Sequence, residues 1–164
     1  MVDITAGRRP ARRAGALAQI GAKKTAARAL VLASLAAGAG LAALAISPGA
    51  SVAAIEAAGP ELTRLLRGMA MIKAVLAGAL LAGIHWRMAA PISALGLSVY
   101  SAAALALGAG FVMTWSLALP GAGAALLHLG LFGGLIWLAR DPAVGQRLQL
   151  GLLSRTNRRA RRRV

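Results

Sequence analysis

Apolar residues in this chain are gathered into four long runs, and most charged residues lie between or outside those runs. The runs cover about residues 29–47, 66–87, 91–114 and 119–139. Each holds roughly 20 residues, the length that an α-helix needs to cross the roughly 30 Å hydrocarbon layer of a bilayer. Runs of this length are too long for the core helices of a small globular domain. The pattern therefore predicts an all-α, polytopic membrane protein with four transmembrane helices.

Turn-forming residues separate these runs. Ser47-Pro48-Gly49 is a turn signal after the first run, and residues 49–59 are expected to form a short, nearly uncharged connection. Pro60 suits the first position of the second helix, because its missing N–H needs no partner there. Residues 88–91 predict a tight turn before the third helix, and Pro120 opens the fourth.

Composition agrees with this architecture and limits the chemistry. Apolar residues make up 59% of the chain, above the roughly 45–50% of soluble domains. The chain divides into a basic segment (1–28), a four-helix transmembrane domain (29–139) and a basic tail (140–164). The absence of cysteine from the sequence excludes disulfides, thiolate metal sites and cysteine nucleophiles. Heavy use of alanine, glycine and arginine is typical of GC-rich bacterial coding sequences.

The net charge of +15 comes from 19 basic and four acidic residues, and most of the basic residues flank the transmembrane domain. Such flanking charge holds helix ends in the cytoplasm and attracts anionic lipid headgroups. The predicted contacts to those headgroups are Arg158, Arg159, Arg161, Arg162 and Arg163. Nucleic acid is not expected as a partner, because no aromatic residue interleaves with the arginines to stack on bases.

The charge asymmetry also predicts an orientation. Both tails are basic and the 88–91 turn follows Arg87, whereas the other two connections carry little or no net charge. The positive-inside rule then places both termini in the cytoplasm of a bacterial cell inner membrane. The first apolar run is longer than the 7–15 residues of a signal-peptide core, so it is expected to remain as an uncleaved anchor.

Few polar side chains lie at membrane depth, and the depth of each decides its interpretation. Lys73 is close enough to the membrane surface to extend its ammonium to the headgroups, and His85 lies at an interface. His128 lies near the midplane, and Tyr100 is expected at a similar depth. A Tyr100–His128 hydrogen bond would satisfy both groups. A haem or metal ligand, a quinone contact and a bond to a partner subunit remain open for His128.

Two cofactor hypotheses fit the sequence poorly. His85 and His128 differ in depth by about 12 Å, too far for the two axial ligands of one haem. Thioethers suit copper(I), yet Met69 and Met71 are two positions apart and face different sides of a helix. The second span, with Lys73 and the terminal residues 87–91, resembles copper-resistance membrane domains, but no residue role follows from that resemblance. No cofactor and no metal site is predicted.

Small residues spaced four apart recur in the spans: Gly38 with Ala42, Gly78 with Ala82, and Gly130 with Gly134, where Gly133 widens the same surface. Such pairs let transmembrane helices approach closely. The spans contain no Asp or Glu, and no phosphate loop or Ser-His-Asp order occurs in the sequence, so catalysis is not expected.

These observations predict a non-catalytic accessory, assembly or scaffold subunit of a larger membrane complex. Its partners would be the lipid bilayer and other transmembrane subunits. One alternative is a redox or cofactor-binding protein that uses His128, with Tyr100, to bind haem, quinone or copper. Another is a small homo-oligomeric transporter built around Lys73 and His128.

Overall fold

The computed structural model describes residues 8–145, with side chains from residue 21 onward, and these residues form four helices. The helices are α1 (Arg8–Ala45), α2 (Pro48–Arg87), α3 (Ala94–Ser116) and α4 (Pro120–Arg140). All four are long and apolar enough to cross a membrane, and no strand occurs in the described part of the chain. The prediction of an all-α protein with four candidate membrane spans is confirmed.

The first helix begins far upstream of the predicted span. Within the described residues it covers Arg8–Ala45, so the basic residues from position 8 to position 28 continue the apolar helix. Alanine, arginine and lysine, which are frequent in this segment, are strong helix formers. The basic segment and the first span are therefore one structural element.

The segment expected to connect the first two spans at 49–59 is helical rather than a turn, since residues 48–58 are helical. The hydroxyl of Ser47 accepts a hydrogen bond from the Ala50 amide at 3.3 Å and caps this helix, with Pro48 in its first turn. Gly59 interrupts α2 with φ 72° and ψ 171°, a conformation that glycine adopts without a Cβ clash. Pro60 then opens the apolar part of α2, as predicted from the sequence.

Helix α3 forms the centre of the bundle. In its most apolar window 44% of the residues are buried, against 17% in α2 and 22% in α1 and α4. It packs along both α1 and α4, and α2 packs against α3 and α4. The largest fully buried side chains are Tyr100, Ile84, Met88, Leu107 and Leu127. Most of the surface of the other three helices therefore faces outward.

Glycines allow the close approach of the helices around α3. A Cβ at Gly38 of α1 would collide with the carbonyl oxygen of Leu105 in α3. A Cβ at Gly130 of α4 would lie 2.9 Å from the carbonyl oxygen of Ala103. At both contacts a backbone atom of α3 occupies the space that a side chain would need, so only glycine fits without a shift of the helix.

Candidate functional site at the basic end of the bundle

The ends of two helices, the start of a third and the basic part of α1 meet at one end of the bundle, here called the basic end. Helix α2 ends there at Arg87, α4 ends there at Arg140, and α3 begins there after Ser93. Lys23 and Lys24 of α1 line a cleft against the α2–α3 connection at the same end. The basic end therefore gathers cations beside the first turn of α3.

A buried ion pair lies at this end. The Nε of Arg87 donates to Oδ2 of Asp141 at 2.6 Å, and the side chains are only 6% and 10% exposed. A second Arg87 nitrogen donates to the carbonyl oxygen of Pro91 at 3.1 Å. The other carboxylate oxygen of Asp141 accepts from the Ala143 amide at 3.0 Å. The pair thus joins the end of α2, the α2–α3 connection and the end of α4.

Tyr100 lies beside this pair rather than beside His128. Its side chain is fully buried, and its hydroxyl is close to the Asp141 carboxylate without forming a hydrogen bond to any described residue. Two features of α3 place the hydroxyl nearer the basic end than the sequence suggests. Helix α3 starts at Ala94 rather than at residue 91, and helical side chains tilt toward the N-terminus of their helix. Both effects move the hydroxyl toward the basic end.

His128 occupies the middle of α4 and faces outward. It is exposed, and it lies about 20 Å along the helix from Asp141, so it does not meet Tyr100. Its Nδ1 lies 2.8 Å from the carbonyl oxygen of Ala124, one turn earlier in α4. Its ring stacks on Phe132 at a centroid distance of 5.8 Å. The structure therefore does not form the predicted Tyr100–His128 hydrogen bond.

A cleft of about 360 Å³ opens over the ion pair at the basic end. Its lining combines the end of α2, the start of α3 and the end of α4: Arg87, Ser93, Gly96, Trp137, Arg140, Asp141 and Pro142. Ser93 caps α3 by accepting a hydrogen bond from the Gly96 amide at 3.1 Å. The cleft thus contains two guanidinium groups, one carboxylate and the positive end of a helix dipole.

The other polar residues singled out from the sequence lie apart from this cleft. Lys73 is half-buried in α2, and His85 is exposed near the end of that helix. Met69 and Met71 are exposed at 43% and 50%. No group of three or more His, Cys, Asp or Glu residues placed to hold a metal ion occurs within the described residues.

The predicted packing glycines divide into two groups. Gly38, Gly130 and Gly134 face other helices of the same chain, and a Cβ at Gly134 would lie 2.9 Å from Leu80 Cδ2. Gly78 and Gly133 face open space. Gly38, Gly130 and Gly134 are therefore covered by helices of the same chain and offer no surface to a partner helix. The five tail arginines at 158–163 lie outside the described residues.

At the opposite end of the bundle, sequence reasoning missed a contact between α2 and α3. The guanidinium carbon of Arg67 lies 5.2 Å from the centre of the Trp115 ring, and Phe111 stacks on the same indole at 5.8 Å. The signal was a cation and an aromatic residue near the same end of two antiparallel helices.

The comparisons with known proteins add no relative. No family model matches the chain, and no curated protein and no solved structure matches it. The resemblance of the second span to copper-resistance membrane domains therefore gains no support.

Proposed function

We propose that this protein is a non-catalytic accessory, assembly or scaffold subunit of a larger complex in a bacterial inner membrane. The observation that carries the proposal is the outward position of His128 in the middle of α4. A polar ring in the middle of a span is costly in hydrocarbon unless another group covers it. A neighbouring transmembrane subunit would provide that cover.

The hydrogen bonding of His128 indicates which kind of group a partner helix would place against its ring. A carbonyl oxygen only accepts, so the contact to Ala124 requires the proton on Nδ1. In the neutral ring Nε2 then carries a lone pair and accepts a hydrogen bond. A serine, threonine, asparagine or tryptophan donor on a partner helix suits this nitrogen.

The surface around His128 supports a helix contact. Phe132 and Leu129 are exposed at 58% and 70%, and Gly133 faces open space. These residues follow His128 within about one turn and a half of α4. Large apolar side chains beside a small residue give a surface into which a second helix can pack.

The test is co-purification at native expression in a mild detergent, with partners quantified by mass spectrometry. We expect His128→Leu to reduce a stoichiometric partner several-fold, because the buried hydrogen bond is lost. The matched control is His85→Leu, the same substitution at an exposed histidine near the end of α2. Wild-type protein that purifies alone, or equal recovery of partners with both variants, would contradict the proposal.

The same lone pair supports one alternative function, a cofactor contact with haem, quinone or copper. An outward Nε2 with Nδ1 held by a carbonyl is the arrangement in which histidine binds metals. Visible-region absorbance or bound copper or iron that disappears in His128→Leu would favour this alternative over the accessory role.

A further inference from the structure

The cleft over the Arg87–Asp141 pair has an excess of positive charge. Arg87 and Arg140 bring two guanidinium groups, and Asp141 brings one carboxylate whose oxygens already accept from Arg87 and Ala143. Arg140 is exposed and forms no ion pair with a described residue. An anion in this cleft therefore meets more attraction than repulsion.

The guanidinium of Arg87 has N–H donors that no described residue uses. Its Nε and one terminal nitrogen are used by Asp141 and Pro91, and no described residue accepts from the second terminal nitrogen. A guanidinium has five N–H donors in a rigid fork, and this geometry matches the oxygens of a phosphate. Because the side chain is almost wholly buried, its position is fixed before any ligand arrives.

A second observation points to a missing polar partner at the same place. Tyr100 lies one turn after Gly96 on the same side of α3, and its hydroxyl is close to Asp141, a residue that lines the cleft. This hydroxyl is buried with no hydrogen-bond partner in the described part of the chain. Buried hydroxyls are normally paired. A ligand oxygen, or a water bound with it, beside Asp141 would pair this group.

The surroundings favour a lipid as the source of the anion. The cleft lies where the apolar spans end, which is the depth of the headgroups, and the indole of Trp137 lines it. Leu135 and Ile136, just before Trp137 in α4, are exposed at 55% and 50%. This outward apolar surface suits an acyl chain that leaves the cleft toward the membrane interior.

We propose that this cleft is a specific site for the headgroup of an acidic phospholipid, with its phosphate against Arg87 and Arg140 and its acyl chains along α4. The site is distinct from the tail arginines and does not depend on the accessory role of the protein. It predicts a bound lipid in a fixed place rather than a diffuse attraction of acidic lipid to the basic end.

The experiment titrates the full-length protein in neutral detergent with dioleoyl phosphatidylglycerol and, separately, with dioleoyl phosphatidylcholine, and measures bound lipid by native mass spectrometry. Arg140→Gln removes one guanidinium from an exposed position and leaves the buried pair intact. Gly96→Phe fills the cleft without changing charge; its nearest neighbours are side-chain atoms of Ile92 and Ser93 at 3.2 Å. The matched control is Lys23→Gln, which removes one charge from an exposed residue at the same end, outside the cleft.

We expect phosphatidylglycerol to bind in preference to phosphatidylcholine, and its affinity to fall about tenfold in Arg140→Gln because a charge-assisted hydrogen bond is lost. Gly96→Phe should weaken binding similarly, with unchanged helicity in circular dichroism, and Lys23→Gln should bind as wild type. Equal weakening by Arg140→Gln and Lys23→Gln, or no preference between the lipids, would overturn the proposal. Displacement of the lipid by equimolar inorganic phosphate would assign the site to a free anion instead. If Gly96→Phe loses helicity, Arg140→Gln and Lys23→Gln decide the outcome alone.

Discussion

Arg87 and Asp141 are 54 residues apart in the sequence, and their side chains meet at 2.6 Å at the basic end of the bundle. The contact ties the last residue of α2 to the residue that follows α4, while Arg87 also holds the carbonyl oxygen of Pro91 in the α2–α3 connection. Both charges are removed from water, with 6% and 10% of their side chains exposed. Each charge therefore depends on the other for compensation.

Breaking this pair should destabilise the fold. We expect Asp141→Leu to lower the free energy of unfolding by about 3–5 kcal/mol, because it leaves the buried Arg87 guanidinium without a counter-charge. The double variant Arg87→Met, Asp141→Leu should recover most of that loss, since apolar replacement of a whole buried pair is often neutral. Reversible unfolding in mixed micelles, followed by far-UV circular dichroism, measures both.

The control for this prediction is Arg140→Gln, adjacent to Asp141 but exposed. Its stability should change by about 1 kcal/mol or less, as is usual for surface charges. A double variant as unstable as Asp141→Leu alone would contradict this prediction, because the loss would then not come from an uncompensated Arg87 charge.

Sequence reasoning predicted the helices but not this site. Length and apolarity are local properties, so the four spans could be read directly from the chain. The pairing of Arg87 with Asp141 depends on two helix ends meeting, and from the sequence Arg87 is interpreted only as a marker of orientation. Since α2 and α4 run in the same direction, their C-terminal ends lie at the same end of the bundle. A cation at one C-terminal end and an anion at the other therefore indicate a possible ion pair.

The depth of polar groups was less predictable. Only the backbone positions of Tyr100 and His128 within the spans can be read from the sequence. A long side chain moves its polar atom by several ångströms along the helix, and rotation about the helix axis decides whether it faces a neighbour or the outside. Neither quantity can be obtained from the hydrophobic pattern of α4, which is apolar on nearly every side.

Glycine substitutions should separate internal from outward-facing positions. A Cβ at Gly38 collides with the backbone of Leu105, so Gly38→Ala must push α1 away from α3, and we expect a loss of about 1–3 kcal/mol, as for overpacking of a core. Gly78 is the matched control. A Cβ at Gly78 would have no neighbouring atom within 4 Å, so Gly78→Ala should be neutral or stabilising by up to about 1 kcal/mol. Unfolding in mixed micelles compares them, and equal effects would contradict the close α1–α3 contact.

The Arg67–Trp115 contact should give a small coupling between α2 and α3. Its geometry is that of a cation–π interaction at 5.2 Å, and Trp115 is 39% exposed, so we expect a coupling energy of about 0.5–1 kcal/mol. The measurement is a double-mutant cycle with Arg67→Met and Trp115→Leu. The parallel cycle with Arg64→Met, an exposed arginine one turn earlier in α2, should show no coupling. Coupling of equal size in both cycles would indicate a general charge effect.

The orientation predicted from the charges can be tested with single cysteines, because the sequence has none of its own. Ala50 is exposed and lies in the helical segment after α1, whereas Ala22 is exposed at the basic end. If the positive-inside rule holds, a membrane-impermeant maleimide added to right-side-out vesicles should label Ala50→Cys, and it should label Ala22→Cys only after the membrane is permeabilised. The tail variant Ser154→Cys should behave as Ala22→Cys, since both termini are expected on the same side. The reverse pattern would place the basic end outside, and labelling of only one of Ala22→Cys and Ser154→Cys would require an odd number of spans.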